Sequence, residues 1–162
     1  NSVKNKCYIY SNDRDLLQLI NEHTSQIIAQ KTGEIVYSLE HFSNDYGIHP
    51  KQWVDVKALL GDSSDNIPGC PGVGEKSAIP LIQLYNSVEE LYENMENLDS
   101  KFNRYKKKLE AGKDSTFISK ELSAITIDIP HFAEYTFEDL KINIDEDKLS
   151  LKLEELEIRV KR

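Results

Sequence analysis

Residues 61–78, Gly-Asp-Ser-Ser-Asp-Asn-Ile-Pro-Gly-Cys-Pro-Gly-Val-Gly-Glu-Lys-Ser-Ala, constrain the fold more than any other stretch. Four of the seven glycines and two of the five prolines fall within it. Proline removes a backbone donor and glycine costs conformational entropy, so no regular element runs through residues 61–74. The segment is a connection, and the sequence on both sides of it reads as helix. His49-Pro50 opens a helix with proline at its first position. Trp53, Val56 and Leu60 supply its buried face at spacings of three and four, and Gly61 stops it. Beyond Gly74 a second helix runs through Leu84, with Pro80 tolerable if that helix starts at Ser77.

The rest of the chain yields shorter elements. Tyr8 to Ser11 reads as a buried strand, Ile27–Ala29 as a second and Ile35–Tyr37 as a third. Lys31 to Glu34 turns between the last two, with Gly33 free to take a positive φ. Asp15-Leu16-Leu17-Gln18 has the pattern of a capping box opening a short helix with Leu16, Leu17, Leu19 and Ile20 on its apolar face. Ser87-Val88-Glu89-Glu90 is a second capping box, for a helix to about Asn94. Helices are also expected over 101–110, 119–124 and 148–157, and a strand over Ile125–Ile129 closed by Pro130. A chain of 162 residues buries one core. No apolar run is long enough to span a membrane. Asn1 at the start, with a strand directly after it, reads as the interior of a longer open reading frame. Cys7 and Cys70 lack neighbouring ligands at metal-binding spacing and are expected as reduced thiols, which fits a cytoplasmic protein.

A net charge of −8 argues at first against nucleic acid, but its distribution matters more than its sum. Lys101, Arg104, Lys106, Lys107, Lys108, Lys113 and Lys120 face only Glu110 and Asp114, so this stretch is locally about +5. A solvated helix face is the plainer account of such a run.

Three constellations carry chemistry. Asp62 and Asp65, at i and i+3 around a helix end, can share a hard cation through oxygen ligands. Asp13 and Asp15, at the end of the first strand, point to one side if the chain is extended there. Gly72-Val73-Gly74 leading into Lys76 and a helix lets backbone N–H groups approach a phosphate, with Lys76 adding a point charge. On spacing alone each has a plainer reading: acids solvating a loop, a helix cap at Asp15, and a structural turn.

Their combination is more specific. Asp-x-Asp after a strand, Gly-Asp-x-x-Asp-Asn, then Gly-x-Gly-x-Lys resembles the bacterial 5′→3′ exonuclease and flap endonuclease family, which includes the nuclease domain of DNA polymerase I. The likeness is nearly collinear along the chain. Asn12 to Leu19 looks like the family's Gly-Asp-Lys-Asp-Leu-Leu-Gln-Leu segment, with Asn12 in place of the glycine. Tyr46-Gly47-Ile48-His49-Pro50, Ser119-Lys120-Glu121-Leu122 and Asp128-Ile129-Pro130 match as well.

The resemblance implies an α/β fold: a partial, mostly parallel sheet of a PIN-like nuclease core, with a helix–three-turn–helix over about 54–85. Residues 1–50 would end the core and 51–162 form mainly the helical DNA-binding part, the C-terminal half of the domain. It implies phosphodiester hydrolysis with two divalent ions, Mg²⁺ or Mn²⁺, held directly or through water by Asp13, Asp15, Asp62 and Asp65. Gly72, Gly74 and Lys76 would grip double-stranded or flapped DNA through phosphates, with K⁺ at the turn. Further carboxylates and phosphate-gripping basic residues come, in the family, from an N-terminal half. Without them the four acids are expected to bind Mg²⁺ poorly and the chain to be inactive. A polymerase domain fused downstream fits the ending Leu153 to Ile158 as well as a free enzyme does. The alternatives are a non-catalytic duplex-binding module, an inactive relative, and a structure-selective RNA nuclease on a related sheet.

Overall fold

The computed structural model describes residues 5–136 and 138–158. Three strands form one sheet in the order β1 (Cys7–Tyr10), β2 (Thr24–Gln30), β3 (Gly33–Tyr37). β1 runs parallel to β2, with Ile9 opposite Gln26, and β2 is antiparallel to β3, with Ile27 opposite Val36. The sheet is therefore mixed, not mostly parallel: the hairpin at residues 31–33, with Gly33 at φ 136°, forces the antiparallel pair. β1 is exposed rather than buried, with Tyr8 and Tyr10 more than half accessible.

Helices make up most of the remainder. They are α1 (Leu39–Tyr46), α2 (Trp53–Leu60), α3 (Glu75–Tyr85), α4 (Val88–Glu93), α5 (Lys106–Ala111), α6 (Lys113–Ser123) and α7 (Glu146–Glu155), with 3₁₀ turns at Arg14–Leu19, Pro50–Gln52, Met95–Asn97, Ser100–Tyr105 and Pro130–Glu134. Capping explains the boundaries. Pro50 leads into α2, Gly61 ends it at φ 70°, and the Ser87 hydroxyl accepts from the Glu90 N–H to start α4. α1, unforeseen in the sequence, is capped by a reciprocal Ser38–His41 pair and closed by Gly47 in the left-handed region.

Four expectations are corrected. The 3₁₀ turn at 14–19 is capped by Asp13, whose carboxylate accepts from the Asp15 N–H, and not by Asp15. Gln18 does not reach back; its amide donates to the Ser123 carbonyl and its oxygen accepts from the Ile125 N–H. That bond takes a backbone donor the proposed strand at 125–129 would need, and no strand forms there. α3 starts at Glu75 rather than Ser77, so Pro80 lies inside it.

The chain divides into two units, 1–125 and 126–162. The first holds the core, including Leu17, Ile20, Phe42, Trp53, Val56, Leu59, Leu81, Leu91 and Leu109. Each such side chain contributes about 1.5–3 kcal/mol by leaving water. α2 sits centrally within this unit and packs against α3 and α6. A buried charge network ties it in place: Asp55 accepts from the Val88 N–H and from Lys120 of α6, which also pairs with Glu89. Burial pushes the Asp55 carboxyl up from its ordinary range. In the second unit Thr136 and Asp139 form a turn, Asp145 caps α7, and no described residue is buried.

Candidate metal centre and phosphate turn

The path of β1 sets the first acidic residues. Asn12 continues the ladder with its side chain, whose amide exchanges two hydrogen bonds with the backbone of Ala29 (2.8 and 3.1 Å). Buried Gln26 donates to the carbonyls of Ser11 and Asp13, both at 2.8 Å, and fixes the backbone where the chain leaves the sheet. The chain turns there instead of staying extended, so Asp13 and Asp15 diverge. Asp13 bends back as the cap, and Asp15 points toward α2.

Asp62 and Asp65 sit in a tight loop beyond the helix end. Gly61 and Gly69 lie back to back at its base. A Cβ on Gly61 would come within 2.5 Å of the Ile67 carbonyl oxygen, and one on Gly69 within 2.3 Å of the Gly61 nitrogen. Both glycines have positive φ, as does Asn66 at 57°. Asp62 and Ile67 exchange two backbone bonds of 2.8 Å across the loop. From α6, Ser119 accepts from the Gly69 N–H and Ser115 donates to its carbonyl. The Gly-Asp-x-x-Asp-Asn pattern is thus read by sterics: glycine where backbones touch, asparagine where φ turns positive.

This folding brings Asp15, Asp62 and Asp65 together, with one carboxylate oxygen of each inside a group no wider than 4.8 Å. Asp13 lies outside it. Between Asp15 and Asp62 stands the ammonium of Lys57, 2.7 Å from Asp15 Oδ1 and in direct contact with Asp62 Oδ2. Lys57 comes from the buried face of α2, with a side chain only 7 % exposed. Burial alone would lower its pKa, but its bonds to Asp15 and Asp62 outweigh that and raise it. Asp62 is held far below the usual carboxylate range, first by Lys57, then by the hydroxyl and N–H of Ser64. Asp15 Oδ1 is buried, and the ammonium of Lys57 is its neighbour there. Three carboxylates offering hard oxygen donors, with the Lys57 ammonium offsetting part of their mutual repulsion, fit a divalent cation such as Mg²⁺. Lys57 was not foreseen. Its signal was a lone lysine within the apolar run Trp53-Val54-Asp55-Val56-Lys57-Ala58-Leu59-Leu60.

The glycine turn is built differently. Gly72 has φ 82°, and Lys108 lies against it, donating from Nζ to its carbonyl at 3.2 Å. Gly74 is the N-cap of α3 in an extended conformation, and a Cβ there would meet nothing within 4 Å. The fold therefore demands glycine at 72 but not at 74. The first turn of α3 carries no side-chain cap, and Lys76 is exposed on its second residue. The basic stretch does not form one face: Lys120 is consumed by Asp55 and Glu89, while Lys113 lies over the Tyr92 ring.

Known proteins resemble the chain in sequence and in fold. The chain is 56% identical over 158 residues to a 5′-3′ exonuclease of Halalkalibacterium halodurans, a match covering 98% of this chain and 52% of that protein. It is 46% identical over 124 residues to DNA polymerase I of Bacillus subtilis, covering 75% of this chain and 14% of that one. The chain thus spans about half the length of the exonuclease relative. In fold it is similar to a bacteriophage T5 flap endonuclease crystallised with DNA and metal ions, at a TM-score of 0.61 and 23% identity, over 79% of this chain and 44% of that one. Residues 48–155 match the family described as 5′-3′ exonuclease, C-terminal SAM fold, and the chain belongs to that family.

Proposed function

We propose that this chain is the C-terminal half of a 5′→3′ exonuclease or flap endonuclease domain that hydrolyses DNA phosphodiesters with two divalent ions, and that alone it is inactive. Residues 1–50 then close the nuclease core, and 51–162 are mainly the DNA-gripping part, with a helix–three-turn–helix around the glycine turn. The convergence of Asp15, Asp62 and Asp65 on one point carries the reading. Bound Mg²⁺ or Mn²⁺ would activate water and take up charge on the leaving oxygen. The protein's own part is to hold the donors. Lys57 keeps Asp15 and Asp62 side by side despite their like charge, and Asp13, as cap, fixes the turn that aims Asp15.

The open first turn of α3, a glycine at 74 that the fold does not require, and the Lys76 charge support sequence-independent contact with duplex phosphates. K⁺ at the turn would have to share carbonyls that already accept from Val73, Lys108 and Ala78. Incomplete donation, three carboxylates in the group, supports the dependence on a second half for full metal binding. The metal-bearing, DNA-bound T5 enzyme of similar fold is consistent with both ligands. A fused polymerase domain, as in the DNA polymerase I relatives, is a second context for the same module.

A non-catalytic duplex-binding module is the second reading, favoured by the engagement of Asp13 as a cap. Mg²⁺-dependent cleavage of a 5′-flap DNA separates the two. The chain is compared with a form in which the unmatched half of the Halalkalibacterium relative precedes it. Cleavage by the extended form only is expected; duplex binding with no cleavage by either form leaves the non-catalytic module.

A further inference from the structure

One side chain joins the carboxylate turn to the phosphate turn. Arg14 stands between Asp13 and Asp15, and its Nη2 donates to Glu75 Oε1 at 3.1 Å and to the Tyr46 hydroxyl at 3.2 Å. Its guanidinium lies 5.2 Å from the centroid of the Trp53 ring, at the start of α2. Glu75 is the first residue of α3, directly after Gly74 and before Lys76. Among the described residues, Arg14–Glu75 is the one side-chain bond between the turn that carries Asp15 and helix α3.

Glu75 also needs explaining. A carboxylate in the first turn favours the helix dipole but opposes a phosphate arriving at the same end. Arg14 pairs with it and lies over the Trp53 ring, while the Tyr46 hydroxyl accepts from the same nitrogen. We infer that Arg14 is a positioning residue that couples metal binding at Asp15, Asp62 and Asp65 to duplex binding at the first turn of α3. This rests on the reading of the two sites given above. A cation on Asp15 fixes the 3₁₀ turn, Arg14 passes that constraint to Glu75, and the phosphate turn is held in register with the carboxylates.

Thermodynamic linkage gives the test, since coupling must appear equally from both ligands. Duplex affinity of the full chain is measured by fluorescence anisotropy with and without millimolar Mn²⁺. Mn²⁺ affinity is measured by paramagnetic resonance with and without a short blunt duplex. The native chain is expected to bind duplex about fivefold more tightly with Mn²⁺. In Arg14→Ala that ratio falls toward one. Arg14→Ala with Glu75→Gln recovers duplex affinity, because the opposing charge is gone, but not the ratio. The exchanged pair R14E with E75R recovers the ratio, which a loss of folding stability alone would not produce. A native-sized ratio in Arg14→Ala, or a ratio of one in the native chain when both ligands bind, overturns the inference and leaves the proposed function standing. Failure of the native chain to bind duplex, with or without Mn²⁺, removes both, and failure to bind millimolar Mn²⁺ alone overturns the inference.

Discussion

The carboxylate loop and the glycine turn are neighbours in sequence, yet the fold treats them in opposite ways. Around Asp62 every special residue is demanded from inside: Gly61 and Gly69 by backbone contact, Asn66 by its positive φ, Lys57 by two carboxylates. At the turn only Gly72 is so demanded, while Gly74 faces open space and α3 starts without a cap. The difference teaches where a ligand is to be sought. A site whose geometry is fully determined by the protein is preorganised for a small ion. One whose glycine and N–H groups answer to nothing internal fits a large external partner.

Substitutions at the two regions should therefore separate stability from binding. Gly61→Ala, which forces both strained φ and a backbone overlap, should cost about 3 kcal/mol, read as a fall in Tm of about 10 °C. A Tm within 2 °C of the native value would mean the back-to-back packing of Gly61 and Gly69 is wrong. Lys57→Met leaves Asp15 and Asp62 facing each other uncompensated. With both carboxylates about a quarter exposed or less, the loss should be about 2 kcal/mol. Mg²⁺ should raise the Tm of this variant more than that of the native chain, because the ion replaces the missing cation.

The pH response follows from the same pair. Asp62 is depressed in the folded state, so its contribution is complete above the unfolded carboxylate value of about 3.9 and is lost as pH falls below it. Chemical denaturation between pH 5 and pH 2 should show a steeper loss for the native chain than for Asp62→Asn. At the open turn the effects are smaller. Lys76→Ala should reduce the slope of log duplex affinity against log salt by about one, with Tm unchanged. Gly74→Ala should cost less than about 1 kcal/mol in stability yet weaken duplex binding severalfold; unaltered binding would place the phosphate elsewhere.

Local chemistry made much of this architecture legible. Pro50, Gly61 and Ser87 mark helix ends, Gly33 marks the hairpin, and all four act in the structure as their chemistry suggests. The errors arise where a tertiary partner overrides a local pattern. Ile125, Ile127 and Ile129 alternate like a strand, but Gln18 takes the Ile125 N–H. Asp15 precedes a capping pattern, yet Asp13 does the capping and frees Asp15 for Lys57. The motifs taken together named Asp13, Asp15, Asp62 and Asp65, of which the last three lie together, whereas Lys57 and Gln26 could not be named. Their importance comes from burial, which shows in sequence only as the apolar flanks of Lys57 and not at all for Gln26.

The central claim is that Asp15, Asp62 and Asp65 converge to hold the ions of a nuclease. Its most direct test is Mg²⁺-dependent 5′-flap cleavage by the extended form carrying Asp62→Asn, with duplex affinity measured on the same preparation. The account predicts that cleavage falls at least about a hundredfold while duplex binding stays at the native level. Cleavage at the native rate by Asp62→Asn would contradict it.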